Sequence, residues 1–187
     1  TPAWHQLQMR CPVPELIELG ANVAVTTDGT APAMPFDLFR AARDTALLQQ
    51  SAANDPFILP AGKLLSMITI DAARAIGREE DLGSLEVGKL ADITTVKMTS
   101  PHLMPRLMPI HQLMLYGNPG DVADVFVAGR ALMRDRRVLT VSEEDVFECA
   151  ETASREAIRR AGYERLLQPA DNFWTGAQSL LSLPREP

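Results

Sequence analysis

Hydrophobic and polar positions alternate along the chain in blocks of changing period. Glu15 to Leu19 carries a short helical pattern introduced by Pro12, Val13 and Pro14, and Gly20 follows where a helix end favours a left-handed residue. Asn22 to Thr27 is then a β-branched run with a continuous apolar centre, the pattern of a strand buried on both faces as in a parallel sheet. It ends in the turn pair Asp28-Gly29. After a loop over 30–35, Phe36 to Gln50 reads as a helix, with Phe36, Phe39, Ala42, Ala46 and Leu47 near one face. Ser51 to Pro60 reads as a polar loop. Ala61 to Gly77 reads as two short helices in tandem, the second capped by Thr69.

From Gly83 the period shortens. Strands are predicted at Asp92–Lys97, Val122–Val127, Ala131–Arg134 and Val138–Thr140, with a proline-rich excursion and a short helix at Ile110–Tyr116 between the first two. The result is a small, largely antiparallel sheet. Met104, Met108 and Met114 are expected to pack against it, and Arg134, Arg136 and Arg137 to form a solvated turn. Ser142 opens the longest helix, whose Val146, Ala150, Ala153, Ala157 and Ala161 form a stripe suited to close packing. Phe173 and Trp174 in the tail are expected to anchor it on the body. The single strand among helices fits one α/β unit, whereas a closed barrel of eight such units needs about 250 residues.

Composition narrows the class. A hydrophobic fraction of 46% with 22% charged residues is that of an ordinary globular chain. The net charge of -6 gives no electrostatic reason to expect a nucleic-acid or anionic-membrane partner. No apolar run approaches the ~20 residues that span a bilayer, and the first residues do not read as a signal peptide. Cys11 and Cys149 lack metal-type spacing and are expected to be buried thiols, with a reducing cytoplasm as the default location. The chain begins with Thr1, and the expectation is that it is part of a longer polypeptide.

Four stretches in order carry a resemblance. They are Val23-Ala24-Val25-Thr26-Thr27-Asp28-Gly29, the helix pair Leu65 to Gly77, the turn-rich Gly83 to Asp92, and the hairpin Asp121 to Arg130. Together, over most of 12–162, they resemble the C-terminal part of the amidohydrolase superfamily, in its cytosine-deaminase-like and chlorohydrolase-like branch. The resemblance implies an α/β fold: the last strand and following helices of a (β/α)8 TIM barrel, plus part of a small β-sandwich domain. Residues 1–80 would be the end of the barrel, 81–141 the small β-domain segment, and 142–187 a C-terminal helix and tail packing on the barrel.

The same resemblance implies a metal-dependent hydrolase of carbon–nitrogen bonds other than peptide bonds, in this case a deaminase of a nitrogen heterocycle. The divalent metal would be zinc, with iron as the alternative in this branch. Asp28 would be both metal ligand and catalytic proton shuttle at the end of the last barrel strand. Thr26 and Thr27 read as β-branched strand filler, and the loop 30–34 as a specificity element with no substrate-binding residue named. A His-x-His pair, which the family places on its first strand, is absent: His5, His102 and His111 have no ligand spacing to one another. His5 reads as exposed, and His102 and His111 as surface or packing residues. Zinc normally takes three protein ligands plus water, so this chain alone is expected to be inactive. Its expected partners are a small-molecule substrate and either further copies or the remaining N-terminal portion. The rival reading is a non-catalytic assembly module or a decayed relative. A barrel strand without its neighbours leaves unpaired edges, so the isolated chain should self-associate or aggregate in sedimentation. A well-behaved monomer would contradict that.

Overall fold

The computed structural model describes residues 10–28 and 36–169, which fall into two compact units divided between Thr140 and Val141. The first unit opens with helix α1 (Val13–Glu18), with Pro14 in its first turn, where a missing N–H removes no helical bond. The chain turns out of it at Gly20 and runs extended through residues 21–28. This stretch forms no β-ladder among the described residues, against the parallel-strand expectation. A strand is defined by its neighbours, and no described segment lies alongside to supply one.

Helix α2 (Leu38–Ala53) starts later than the sequence pattern predicted, because the Asp37 carboxylate accepts from the Arg40 amide at 3.0 Å and sets the cap there. Phe36 is therefore outside the helix and exposed. The helix runs three residues past Gln50 to a left-handed Asn54, into the segment read as loop. Its buried face is Ala41, Ala42, Thr45, Ala46 and Gln49, while Leu47 lies in solvent. Small side chains rather than large ones face inward, which lets neighbouring helices approach closely.

Helices α3 (Ala61–Met67) and α4 (Ile70–Ala75) form the expected tandem pair. Thr69 does not cap α4 with its side chain. Its hydroxyl donates back to the Leu65 carbonyl at 2.7 Å and closes α3 instead. Gly83 packs onto the start of α4, where a Cβ would stand 2.7 Å from Ile70 Cα and 2.9 Å from Ala73 Cβ, so no larger residue fits. Helix α5 (Pro109–Tyr116) completes the helical layer. The core gathers Val13, Val25, Ala42, Ala46, Leu64, Met67 and Met114. Met114 thus belongs to this helical core and not to the sheet, and Met104 and Met108 are substantially exposed.

Strands β1 (Ile93–Val96), β2 (Val122–Val127), β3 (Arg130–Arg134) and β4 (Arg137–Val138) form an antiparallel meander in the order β1-β2-β3-β4. The register pairs Ile93 with Phe126, Thr95 with Asp124, and Met133 with both Val125 and Val138. The last strand is two residues long, shorter than the predicted Val138–Thr140. No residue of the four strands is fully buried. Arg134 is not merely solvated: it pairs with Asp124 at 3.2 Å and lies over the Phe126 ring.

In the second unit, helix α6 (Glu143–Ala161) is capped by Ser142, whose hydroxyl accepts from the Asp145 amide at 3.3 Å, and is stopped by a left-handed Gly162. Its alanine stripe is uncovered: no residue of the helix is buried. Ion pairs from Glu156 to Arg159 and Arg160 lace its polar face. Cys11 is half-buried and Cys149 exposed, so neither is the fully buried thiol expected. Phe173 and Trp174 lie outside the described residues, and no described helix is long and apolar enough to cross a membrane. Leu64 is fully enclosed in the core. Leu64→Ala should lower the unfolding free energy by about 2–5 kcal/mol in urea titration.

Candidate functional site

The segment that carries Asp28 is fixed by helical backbone. The Val25 amide donates to the Met67 carbonyl at 3.1 Å, and the Val25 side chain is buried in the core. Asn22 Nδ2 donates to the Asp71 carbonyl at 2.8 Å. These two bonds tie one end and the middle of the extended run to the end of α3 and the first turn of α4. Beyond them Thr26 is exposed and Thr27 half-buried, its hydroxyl 3.3 Å from the Asp28 carbonyl oxygen. Asp28 is exposed and adopts φ 66°, the left-handed region that Asp tolerates better than most residues.

Asp71 makes that anchorage rigid. Its carboxylate is buried and meets Lys63 Nζ at 2.7 Å and Arg74 Nη1 at 2.9 Å. Burial pushes the carboxyl up. Hydrogen bonds to Lys63 and Ser66, with the charges of Lys63 and Arg74, outweigh it and hold the group below the ordinary carboxylate range. A second buried carboxylate, Asp121, joins the turn before β2 to the proline-rich excursion. It accepts from Ser100 Oγ at 2.8 Å and the Asn118 amide at 3.1 Å, and lies 2.7 Å from His102 Nε2. A carboxylate only accepts, so Nε2 carries the proton in this contact. Here too burial raises the carboxyl and is outweighed by the hydrogen bonds of His102, Ser100 and Asn118. His102 is thus an exposed residue with a defined partner, and His111 sits edge-on to Tyr116 at 6.4 Å between ring centres.

Among the described residues no group of three or more His, Cys, Asp or Glu side chains could hold a metal ion. These residues on their own do not make a zinc site, which needs about three protein ligands. His5 and the loop 30–34 lie outside the described residues. Sequence reasoning singled out Asp28 but gave no part to Asn22 or Asp71, which hold its segment. The available signal was slight: a buried Asp eight residues after Lys63 and three before Arg74 looks like ordinary helix-surface charge.

Comparison with known proteins places this architecture. The model of the amidohydrolase family matches residues 8–132. A 5-methylthioadenosine/S-adenosylhomocysteine deaminase of Desulforudis audaxviator is 41% identical over 147 residues, which cover 79% of this chain and 34% of the relative. A 5'-deoxyadenosine deaminase of Methanosarcina acetivorans is 41% identical over 152 residues, 80% of this chain and 34% of the relative. Among solved structures, an adenosine deaminase from Xanthomonas campestris with bound zinc superimposes with a TM-score of 0.76 at 31% identity, covering 80% of this chain and 34% of that one. A zinc-complexed atrazine chlorohydrolase from Arthrobacter aurescens shares the fold, with a TM-score of 0.68 at 24% identity over 81% of this chain and 34% of that one. The chain spans about a third of the length of the curated relatives it matches.

The buried carboxylates set the acid limb of stability. Asp71 and Asp121 have folded pKa values below their unfolded ones. In the acid range the unfolded chain therefore binds more protons, and stability rises with pH there. Urea unfolding between pH 3 and 7 should show full stability above about pH 4, the unfolded Asp value, and progressive loss below it. Asp121→Asn should flatten that acid slope while lowering stability at pH 7.

Proposed function

The chain belongs to the amidohydrolase family, and we propose that it is the C-terminal portion of a deaminase that hydrolyses the exocyclic C–N bond of an adenine nucleoside. In this reading residues 1–80 form the end of the metal-dependent hydrolase barrel, 81–141 the small β-domain segment, and 142–187 the C-terminal helix and tail. The observation that carries it is the placement of Asp28. The carboxylate closes an extended run whose other end is pinned to the helix pair, and in the sequence resemblance that run corresponds to the family's last barrel strand. Barrel active sites lie at the carboxyl ends of strands. The similarity to adenine-nucleoside deaminases at 41% identity supports the substrate class.

Asp28 would be one ligand of a zinc, or failing that an iron, whose other ligands would come from outside the described residues. When bound, such a cation makes water a nucleophile near neutral pH. The part of this chain is carried by Asp28: its carboxylate accepts a proton from the attacking water and passes it to the departing amine. On this reading the chain alone is inactive and works in association with the rest of the barrel. The uncovered strands and the uncovered α6 also suit a second reading, a non-catalytic assembly module, which would carry no metal.

The test is Asp28→Asn in the polypeptide that holds the complete barrel. Deamination of 5'-deoxyadenosine should fall by about 10²–10⁴-fold while the far-UV circular dichroism of the folded protein is retained. Unchanged turnover would remove Asp28 from the chemistry.

A further inference from the structure

The two bonds that hold the extended run differ in kind. The Val25 amide donates to the Met67 carbonyl, backbone to backbone. Asn22 donates from its side chain, through Nδ2, to the Asp71 carbonyl. The acceptors lie on different helices, Met67 at the end of α3 and Asp71 in the first turn of α4. The run therefore keeps one position only while the two helices keep theirs. Asp71 secures that too. Its buried carboxylate reaches back to Lys63 on α3 at 2.7 Å and along α4 to Arg74 at 2.9 Å. One residue thus clamps α3 to α4 with its side chain and holds the run with its backbone.

The spacing makes the run a lever. Val25 is its fulcrum, bonded through the backbone and buried in the core. Asn22 stands three residues before Val25 and Asp28 three residues after it. Rise per residue is nearly constant in an extended chain, so the two arms are of similar length. A single bond at Val25 leaves the run free to pivot about it. The second bond at Asn22 fixes its direction, and with it the place of Asp28 at the far end. Asn22 itself is exposed, so its amide fills no space in the core.

We propose that Asn22, held by the Asp71 carbonyl, is a positioning residue for the Asp28 carboxylate. The role rests on the reading of Asp28 as the proton-transferring group. Asn22 touches no reacting atom and acts only through the run. A carboxylate moved out of hydrogen-bond reach neither takes up a proton nor passes it on. A misplacement of about 1 Å is enough to cost about 10²-fold in rate. Loss of the Asn22 bond therefore slows turnover and leaves substrate affinity nearly as it was.

The experiment is a double-mutant cycle in the polypeptide that holds the complete barrel, with 5'-deoxyadenosine as substrate. Amide hydrogen exchange over residues 22–28 is read alongside. Asn22→Ala, and the isosteric Asn22→Asp that sets an acceptor against the Asp71 carbonyl, should each lower kcat by about tenfold or more with KM changed by less than about twofold. Both should speed exchange along the run. Asn22→Gln keeps an amide donor and should recover part of the lost kcat. On an Asp28→Asn background, Asn22→Ala should lower kcat by less than about twofold, because its effect passes through that carboxylate. Turnover retained in Asp28→Asn overturns the reading of Asp28 and the role of Asn22 with it. Turnover lost in Asp28→Asn, with kcat unchanged in Asn22→Ala or lowered equally on both backgrounds, overturns the positioning role alone.

Discussion

The first unit depends on two hydrogen bonds between an extended chain and helical carbonyls: Val25 N–H to Met67 O, and Asn22 Nδ2 to Asp71 O. An extended backbone has no internal bonds to hold it, and its polar groups must find partners elsewhere. No described strand flanks residues 21–28, so the helix pair supplies the anchorage. The carbonyl of residue 67 is free to accept because it lies at the end of α3, where the last carbonyls have no helical donor. The short length of α3 and the break before α4 are therefore what make the segment's position definite.

The core grows around that contact. Val25 is inserted among Leu64, Met67, Ala42, Ala46 and Met114, and the small inward face of α2 allows the approach. Gln49, buried on the same face, donates to the Cys11 carbonyl at 2.8 Å and accepts from Arg10 at 3.1 Å, so its burial leaves no amide unsatisfied. The four-stranded meander has a different character. Its hydrogen bonds are made, yet none of its residues is fully buried. The same is true of α6. Layers of secondary structure stabilise a domain by covering one another's apolar faces, and these two elements are each uncovered within their own unit. The proposed role as one portion of a larger barrel gives those faces a use.

Much of the element order could be read from the residues. The apolar periods located α1, the tandem α3 and α4, α5, β1, β2 and α6 to within a few positions, because caps and stops such as Pro14, Ser142, Gly20 and Gly162 are local devices. The misreadings share a cause. Phe36 and Leu47 looked like an inward face because they are large, but the Asp37 cap starts the helix two residues later, at Leu38, and Ala41, Thr45 and Gln49 face inward. Thr69 has the chemistry of a cap, and its hydroxyl found a carbonyl behind it first. Met114 was assigned to the sheet by sequence proximity and packs with helices distant in sequence.

The sequence by itself determined where the chain bends and caps, the antiparallel meander, and the single acidic residue at the end of the apolar run, since each depends on neighbours a few positions away. Only the tertiary structure decided that this run is held by helix ends rather than by a strand, and that Asp71 and Asp121 are the buried, fully partnered carboxylates. Those outcomes depend on which backbone groups meet across tens of residues, and periodicity along the chain carries no information about such meetings.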